Sequence, residues 1–213
     1  MNGAMIGKLA IAFLIAYALG DINPAIIFGK IKGVDIRKEG SGNAGMTNTI
    51  RTMGIGYGIA VFVIDVLKAF VAVKIGFAIA GSGGAMAGFA GVVLGHCFPA
   101  AFGFKGGKGV AASFGAALAL NWQTALLALL AAGAGFAVTR KMSVGSLAAA
   151  ASYPVFVWFL APEYKYFAIA AAVFLIIAHA ENIKRLVNGE EKTLTVGNAD
   201  RMAEKSAEKD GAE

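Results

Sequence analysis

The stretch "VAASFGAALALNWQ", residues 110–123, decides how many times this chain crosses a membrane. Its apolar part, residues 110–120, is followed by Asn, Trp and Gln. At ~1.5 Å per helical residue it covers only about half of the ~30 Å hydrocarbon layer. It is therefore either a short span of its own or the first part of one long span that continues to residue 138.

The rest of the chain shares this apolar character. It has 213 residues, of which 58% are hydrophobic, and a soluble domain of this length cannot bury so much apolar surface. We predict an all-α, polytopic integral membrane protein with one domain at residues 1–198. Residues 199–213 are small and charged, and we predict a disordered tail there. Seven apolar segments can be drawn, at roughly 5–28, 55–77, 86–102, 110–120, 124–138, 144–161 and 164–182.

The positions of lysine and arginine favour seven spans over six. With seven spans, segments 29–54, 103–109, 139–143 and the region from 183 onward share one side and hold most of the 19 basic residues. The opposite side holds only Lys8, Lys74 and Lys165. The positive-inside rule then predicts an outside N-terminus and a cytoplasmic C-terminus. Six spans would send Arg140, Lys141 and the tail outside.

Two features inside the spans are unusual. Asp65 and Lys68 are three residues apart and share a helix face, so we interpret them as a mutually neutralising pair in the bundle interior. A relay or substrate role is the alternative. Cys97 is the single cysteine, which excludes an internal disulfide and a thiolate metal cluster. We interpret it as a packing residue.

The segment "GSGNAGMTNTIR", residues 40–51, is too polar for an ordinary loop and falls on the predicted cytoplasmic side. Gly42 allows the backbone to direct successive N–H groups into one concavity. Ser41 and Asn43 add polar side chains, and Arg51 is a fork-shaped partner for phosphate. The alternative is a glycine-rich turn with a topogenic arginine.

The stretch "FGFKGGKGV", residues 102–110, contains what we call the glycine loop, residues 103–109. It leads into a helix starting near Val110, whose N-terminus carries free N–H groups and partial positive charge. With Lys105 and Lys108 it predicts an anion site. It is not a nucleotide P-loop, because Phe102 and Gly109 stand where that pattern needs Gly and Ser or Thr. A linker with topogenic lysines is the alternative.

The stretch "HAENIKRLVNGEE", residues 179–191, forms a third polar segment. As a helix, it turns His179 and Asn182 together into the bundle, and we predict that Glu181, Lys184 and Arg185 point the other way. A helix end at the membrane interface is the alternative.

A fourth, weaker segment is "RKMSVGS", where Ser143 and Ser146 lie one helical turn apart. All four segments fall on one side, and two clustered anion sites suggest transfer between a membrane-soluble phosphate compound and a soluble one. A transporter of a phosphorylated solute is the rival class, although it needs polar residues through the midplane. A lipid-binding scaffold is a third interpretation.

These motifs, in this order, resemble the bacterial membrane acyltransferases that use acyl phosphate as donor and glycerol 3-phosphate as acceptor (the PlsY family). The resemblance spans roughly residues 5–195 and includes "GHCFPAAFGFKGGKGVA" and "SVGS". Two positions depart from the family pattern. The chain has "GDINP" at 20–24 where Gly-Ser-hydrophobic-Pro is common, and Ala112 where Thr is common.

The resemblance implies a seven-span enzyme of the bacterial inner (plasma) membrane with its active site on the cytoplasmic side. The implied product is 1-acyl-glycerol 3-phosphate (lysophosphatidic acid), with release of phosphate. It implies no metal, no other cofactor and no need for acyl-CoA. The implied partners are the two substrates, membrane lipids and an acyl-phosphate-forming enzyme, with no nucleic acid.

Site residues also follow from the resemblance, position by position. The implied acyl-phosphate ligands are Ser41, Gly42, Asn43, Gly106, Gly107 and Gly109. The implied ligands of glycerol 3-phosphate or the departing phosphate are Arg51, Lys108, His179, Asn182 and one of Ser143 or Ser146. The implied catalytic residues are Ser41, Arg51, Lys108, His179 and Asn182. Either His179 or a substrate phosphate oxygen takes the proton, and the sequence leaves this open.

Overall fold

The computed structural model describes residues 3–194, and within that range it contains helices and no strand. The helices are α1 (Gly3–Asp21), α2 (Pro24–Ile31), α3 (Met46–Met53), α4 (Ile55–Cys97), α5 (Val110–Leu120), α6 (Trp122–Thr139), α7 (Met142–Leu160), α8 (Lys165–Ala178) and α9 (Ala180–Val187). Short 3₁₀ turns occur at Ala100–Phe102 and Pro162–Tyr164. The tail predicted at 199–213 lies outside the described residues.

Helix α4 is a hairpin of two antiparallel arms, residues 55–79 and 82–97. The break is at Ala80 and Gly81, and Gly81 has φ 58°, ψ −145°, a conformation that favours glycine. The arms pack so tightly that a Cβ at Gly88 would lie 2.9 Å from the carbonyl oxygen of Ala72. These arms correspond to the predicted segments 55–77 and 86–102. However, the second arm ends at Cys97, because Pro99 and the 3₁₀ turn follow it.

Close helix packing through small residues forms the rest of the bundle. A Cβ at Gly91 would lie 3.0 Å from that of Ala16, which places α1 against the second arm of α4. A Cβ at Gly115 would lie 2.7 Å from the Cα of Val66, which places α5 against the first arm. Such glycine contacts allow helix backbones to approach closely, as is typical of packing in membranes.

The weak segment at 110–120 is a separate helix and does not continue into α6. Asn121 separates the two helices with an extended conformation, φ −154° and ψ 109°. Its side chain accepts a hydrogen bond from the N–H of Thr124 at 3.0 Å and so caps α6. The single long helix considered as the alternative is therefore not formed.

Three helical stretches in residues 3–194 are long and apolar enough to cross a membrane: Gly3–Ile31, α6 and α7. Residues Pro162–Ala178 and α9 form a bent pair, with 58° between its parts, which adds a fourth candidate. Seven crossings and the orientation of the termini remain predictions.

The predicted interior pair is confirmed, and a histidine joins it. Lys68 Nζ lies 2.8 Å from Asp65 Oδ1 and donates to the carbonyl oxygens of Gly20 and Ile22 at 3.0 and 2.6 Å. Nδ1 of His96 lies 3.2 Å from the same Asp65 oxygen. Nδ1 of His96 also lies 3.3 Å from Lys68 Nζ. Because three closer oxygens occupy the three N–H bonds of Lys68, Asp65 is left as the acceptor for a proton on His96 Nδ1.

Candidate functional site

One cavity of about 780 Å³ lies among α3–α9 and is polar at one end. Eight of the residues predicted from the sequence line it: Ser41, Asn43, Arg51, Lys108, Ser143, Ser146, His179 and Asn182. Gly109 lines it as well, whereas Gly42, Gly106 and Gly107 do not. The fold therefore brings all four polar segments to one place.

The other end of the cavity is apolar. Its lining is mostly aromatic rings and small or aliphatic side chains, among them Phe62, Phe89, Phe114, Ala117, Ala125, Ala128 and Leu129, and the buried Asp65 and His96 also line the cavity. Because the lining residues on α5, α6 and α7 are mostly small, they leave space for the cavity, and the aromatic rings form its wall. The cavity can therefore hold an anionic head group and an alkyl chain in continuous space.

The segment 40–51 is held in shape by a buried asparagine. Asn48 accepts a hydrogen bond from the backbone N–H of Ser41 at 2.8 Å and donates to the carbonyl oxygens of Ile36 and Glu39 at 2.9 and 3.0 Å. Gly42 has φ 72°, a left-handed conformation that favours glycine. Asn48 thus positions the loop that carries Ser41.

The glycine loop folds back on the end of α4, and this corrects one prediction. The N–H groups of Gly106 and Gly107 donate to the carbonyl oxygens of Cys97 and His96, both at 3.1 Å. That of Gly42 donates to Glu39 at 2.9 Å. These amides are therefore not free to hold a phosphate, because they satisfy backbone carbonyls instead.

Backbone amides that are available to an anion lie a few residues further along the chain, at the start of α5. Ser113 N–H bonds to the carbonyl of Gly109 at 2.7 Å, so the preceding N–H groups of α5 have no partner within the helix. Gly109, Val110 and Ala111 line the cavity. The partial positive charge of this helix end therefore faces the cavity beside Lys108.

A hydrogen-bond network joins the glycine loop to the end of the chain. Lys108 Nζ donates to Asn182 Oδ1, and Asn182 Nδ2 donates to Glu191 Oε1 at 2.7 Å. The other oxygen of Glu191 accepts from Arg185 Nε at 2.8 Å. The prediction that Arg185 points away from the site is wrong. It is three residues after Asn182, which on a helix makes the two side chains neighbours.

Residues 188–194, which we call the strap, close the polar end of the cavity. Gly189 reverses the chain with φ 74° after α9. The N–H of Leu194 then donates to the carbonyl of Arg140 at 3.0 Å, and Arg51 lies 3.4 Å from the carbonyl of Lys192. Glu191 was missed by sequence analysis because this return is a tertiary contact, whereas the i, i+3 spacing could have found Arg185.

Electrostatics at this end favour a bound anion. Four cationic residues line the cavity at this end, Arg51, Lys108, Arg185 and the exposed Lys192, with one carboxylate, Glu191. Burial and the neighbouring charge of Arg185 lower the pKa of Lys108. Burial opposes ionisation of Glu191, but its hydrogen bonds from Arg185 and Asn182 outweigh that cost and lower its pKa. A dianionic phosphate would balance the excess positive charge.

His179 lies at the break between α8 and α9, and its contact with the backbone determines which ring nitrogen carries a proton. Its Nδ1 lies 2.8 Å from the carbonyl oxygen of Leu175, which can only accept, so Nδ1 carries a proton. In the neutral ring Nε2 is then the acceptor. His179 lines the cavity, so the ring can accept a proton from, or donate one to, a bound molecule.

The chain is similar to known proteins over most of its length. The family model described as "Glycerol-3-phosphate acyltransferase" matches residues 10–189. The glycerol-3-phosphate acyltransferase of Shouchella clausii is 39% identical, covering 89% of this chain and 98% of its own. That of Clostridioides difficile is 42% identical, covering 85% and 93%.

Two crystal structures also match over most of the chain. Both are of PlsY, described as an integral membrane glycerol 3-phosphate acyltransferase. The glycerol 3-phosphate form has a TM-score of 0.84 at 36% identity, covering 89% of this chain and 96% of that one. The lysophosphatidic acid form has a TM-score of 0.82 at 36% identity, covering 89% and 97%.

Proposed function

The chain belongs to the glycerol-3-phosphate acyltransferase family, and we propose that it transfers a fatty acyl group from acyl phosphate to the sn-1 hydroxyl of glycerol 3-phosphate. The products are 1-acyl-glycerol 3-phosphate and inorganic phosphate. The observation that carries this proposal is the single cavity, whose cationic, amide-lined end opens directly into an apolar channel. Acyl phosphate carries a phosphate group and an alkyl chain on one molecule, so it needs a polar site and an apolar channel that are joined.

The reaction requires positioning more than a strong nucleophile. An acyl phosphate is a mixed anhydride with a good leaving group, so orientation and charge stabilisation supply most of the rate. The glycerol hydroxyl oxygen forms a bond to the acyl carbon, and the carbon–oxygen bond to phosphate breaks. Phosphate leaves with the electron pair, and the hydroxyl proton goes to His179 or to a phosphate oxygen.

The geometry suggests how the two substrates are divided between the ligands. The amides at the start of α5, with Ser41 and Asn43, would hold the acyl phosphate at the mouth of the apolar channel. Arg51, Lys108, Arg185 and the pair His179 and Asn182 would hold glycerol 3-phosphate or the departing phosphate, with Ser143 or Ser146. Gly106 and Gly107 act by allowing the loop to pack tightly, and Gly42 by turning the loop that carries Ser41.

The protein's placement in the cell is part of the same proposal. Seven crossings of a bacterial inner membrane put the polar end of the cavity in the cytoplasm, where glycerol 3-phosphate is soluble, while the donor reaches the site from the lipid phase. An enzyme that forms acyl phosphate is then the functional partner. Transport of a phosphorylated solute is less well supported, because the inner end of the cavity is apolar and Asp65 there is neutralised by Lys68.

The test uses purified protein in detergent with labelled glycerol 3-phosphate and either acyl phosphate or acyl-CoA. We expect lysophosphatidic acid from acyl phosphate, at a rate that Lys108→Met abolishes and Lys184→Met leaves unchanged, since Lys184 is exposed outside the cavity. Product from acyl-CoA alone would refute the proposed donor. Absence of product from either donor, together with solute uptake into vesicles, would favour the transporter.

A further inference from the structure

Ser113 carries a buried hydroxyl group that has no role in the reaction as proposed above. It lies in the first turns of α5, it is 7% exposed, and it lines the cavity. Its Oγ has no hydrogen-bond partner among residues 3–194. Burying a hydroxyl without a partner costs stability, so such a group calls for an explanation, and a bound molecule that completes the hydrogen bond is one.

Ser113 shares this missing bond with one other buried side-chain atom in residues 3–194, Ser143 Oγ. Helical serine and threonine hydroxyls usually bond to the carbonyl four residues earlier. Thr49, Thr139 and Ser146 do so, at 3.0, 2.8 and 3.0 Å. The equivalent acceptor for Ser113 is the carbonyl of Gly109, which accepts only the backbone N–H of Ser113. The Ser113 hydroxyl is therefore available to a molecule in the cavity.

The position of Ser113 matches the reacting group of the donor. It lies one helical turn, about 6 Å along the axis, beyond the amides at the start of α5. Phe114 and Ala117, the next lining residues on α5, belong to the apolar end. In an acyl phosphate the carbonyl is the group between the phosphate and the alkyl chain. Ser113 lies at the boundary between the amides at the start of α5 and the apolar end of the cavity. The carbonyl group of a bound acyl phosphate must lie at this boundary.

We infer that the Ser113 hydroxyl donates a hydrogen bond to the carbonyl oxygen of the acyl donor and to the oxyanion that forms from it. This inference rests on the proposed function. As the glycerol oxygen adds to the carbonyl carbon, the π electron pair moves onto this oxygen. It returns when the bond to phosphate breaks, and Ser113 keeps its proton throughout. A hydrogen bond from Ser113 stabilises the transition state more than the ground state, because the oxygen then carries negative charge.

The kinetic test compares Ser113→Ala with Ser113→Thr, which keeps the hydroxyl. The matched control is Ser152→Ala on α7, which removes a hydroxyl that bonds to its own helix at Ala149 and lies outside the cavity. We expect Ser113→Ala to lower kcat by about 10²-fold, with a smaller rise in the donor KM of about 2- to 12-fold and an unchanged KM for glycerol 3-phosphate. Ser113→Thr should retain most activity and Ser152→Ala all of it. The thermal midpoint of Ser113→Ala should not fall, because the change removes an unpaired buried group.

A binding test separates this inference from the proposed function. The probes are hexadecanoylphosphonate, which keeps a carbonyl beside phosphorus, and hexadecylphosphonate, which has none. Ser113→Ala should raise the Kd of the first by about 2- to 12-fold and leave that of the second unchanged. If wild type uses only acyl-CoA, or neither donor, the proposed function fails while this comparison still decides the role of Ser113. Equal Kd changes for both probes, a rise in the donor KM alone, or unchanged kcat would overturn the inference.

Discussion

Lys108 Nζ donates a hydrogen bond to Asn182 Oδ1, although 74 positions separate these residues. The bond joins the glycine loop to the last helix at the polar end of the cavity. The acceptor, Asn182, also donates to Glu191, so a ligand that displaces one contact affects the whole network. The following predictions test this network, the loop, the buried charges and the topology.

His179→Ala and Asn182→Ala should each raise the KM for glycerol 3-phosphate more than that for acyl phosphate. Losing one hydrogen bond to a charged group costs about 1.5–3 kcal/mol, or roughly 10- to 150-fold. If His179 is the general base, its removal should instead cut kcat by roughly 10²–10⁴ with acceptor binding nearly intact. Full kinetics at equal folded amount distinguish these results.

The control for that series is Lys184→Ala, because Lys184 is exposed. Arg185→Ala is expected to impair activity, since it removes the partner of Glu191 at 2.8 Å. Wild-type kinetics for Arg185→Ala would contradict the network described above.

Glu191→Gln should destabilise the protein in a pH-dependent way. Although burial opposes ionisation, the hydrogen bonds to the Glu191 carboxylate lower its pKa in the folded protein below the ordinary value of 4.5. A depressed carboxyl pKa stabilises the fold above the unfolded value, and that stabilisation is lost as pH falls through the folded value. The thermal midpoint of Glu191→Gln should therefore lie below wild type near pH 7 and converge with it below about pH 4.5.

The neighbouring carboxylate supplies the matched control. Glu190 is exposed, so Glu190→Gln should follow the wild-type profile at every pH. A constant difference between Glu191→Gln and wild type down to pH 3.5 would show that the charge of Glu191 is not what stabilises the strap.

Gly107→Ala should lower thermal stability and activity together. Its Cβ would lie 2.7 Å from the carbonyl oxygen of Ala44 and would also meet the ring of His96, so the loop must move. Gly56→Ala is the control, because no atom lies within 4 Å of its added Cβ and alanine favours a helix by up to about 1 kcal/mol. A normally stable Gly107→Ala with a raised donor KM alone would instead favour direct phosphate binding by this loop.

Lys68→Met should destabilise the protein by about 3–5 kcal/mol, because it leaves the Asp65 carboxylate buried without its cation. Asp65→Asn in the same protein should recover much of that loss, since the two residues contact each other and their effects are not additive. Thermal unfolding of the two single variants and the double variant measures the coupling. Additive losses would mean that the pair contributes no mutual neutralisation.

Cysteine labelling tests the predicted topology. Lys165→Cys should react with an impermeant reagent from outside the cell, and Lys105→Cys and Lys141→Cys only from inside. Background is low because the native Cys97 is buried, at 6% exposure. Outside labelling of position 141 would contradict seven crossings.

The sequence alone predicted the membrane class, the helical segments and eight of the polar residues that line the cavity. Apolar runs and basic loops predict spans and sides because the bilayer imposes a length and a charge rule on any chain. The end of the short apolar segment was visible at "NWQ", whereas the side-chain cap that Asn121 forms on α6 was seen only in the structure. Ser41, Arg51, Lys108, His179 and Asn182 were identified because their polar character contrasts with the apolar runs around them.

Only the tertiary structure decided how these residues use their bonds. The hydrogen-bond partners of a residue depend on which segments of backbone pack against it. In this protein that packing depends on the glycine contacts between helices. Thus the N–H groups of Gly106 and Gly107 donate to carbonyl oxygens at the end of α4. Arg185 pairs with Glu191, and His96 contacts Asp65. The hydroxyl of Ser113 likewise looks ordinary in the sequence. Its lack of a partner emerges only when α5 is placed beside the cavity, because a polar group is unsatisfied only relative to its packed surroundings.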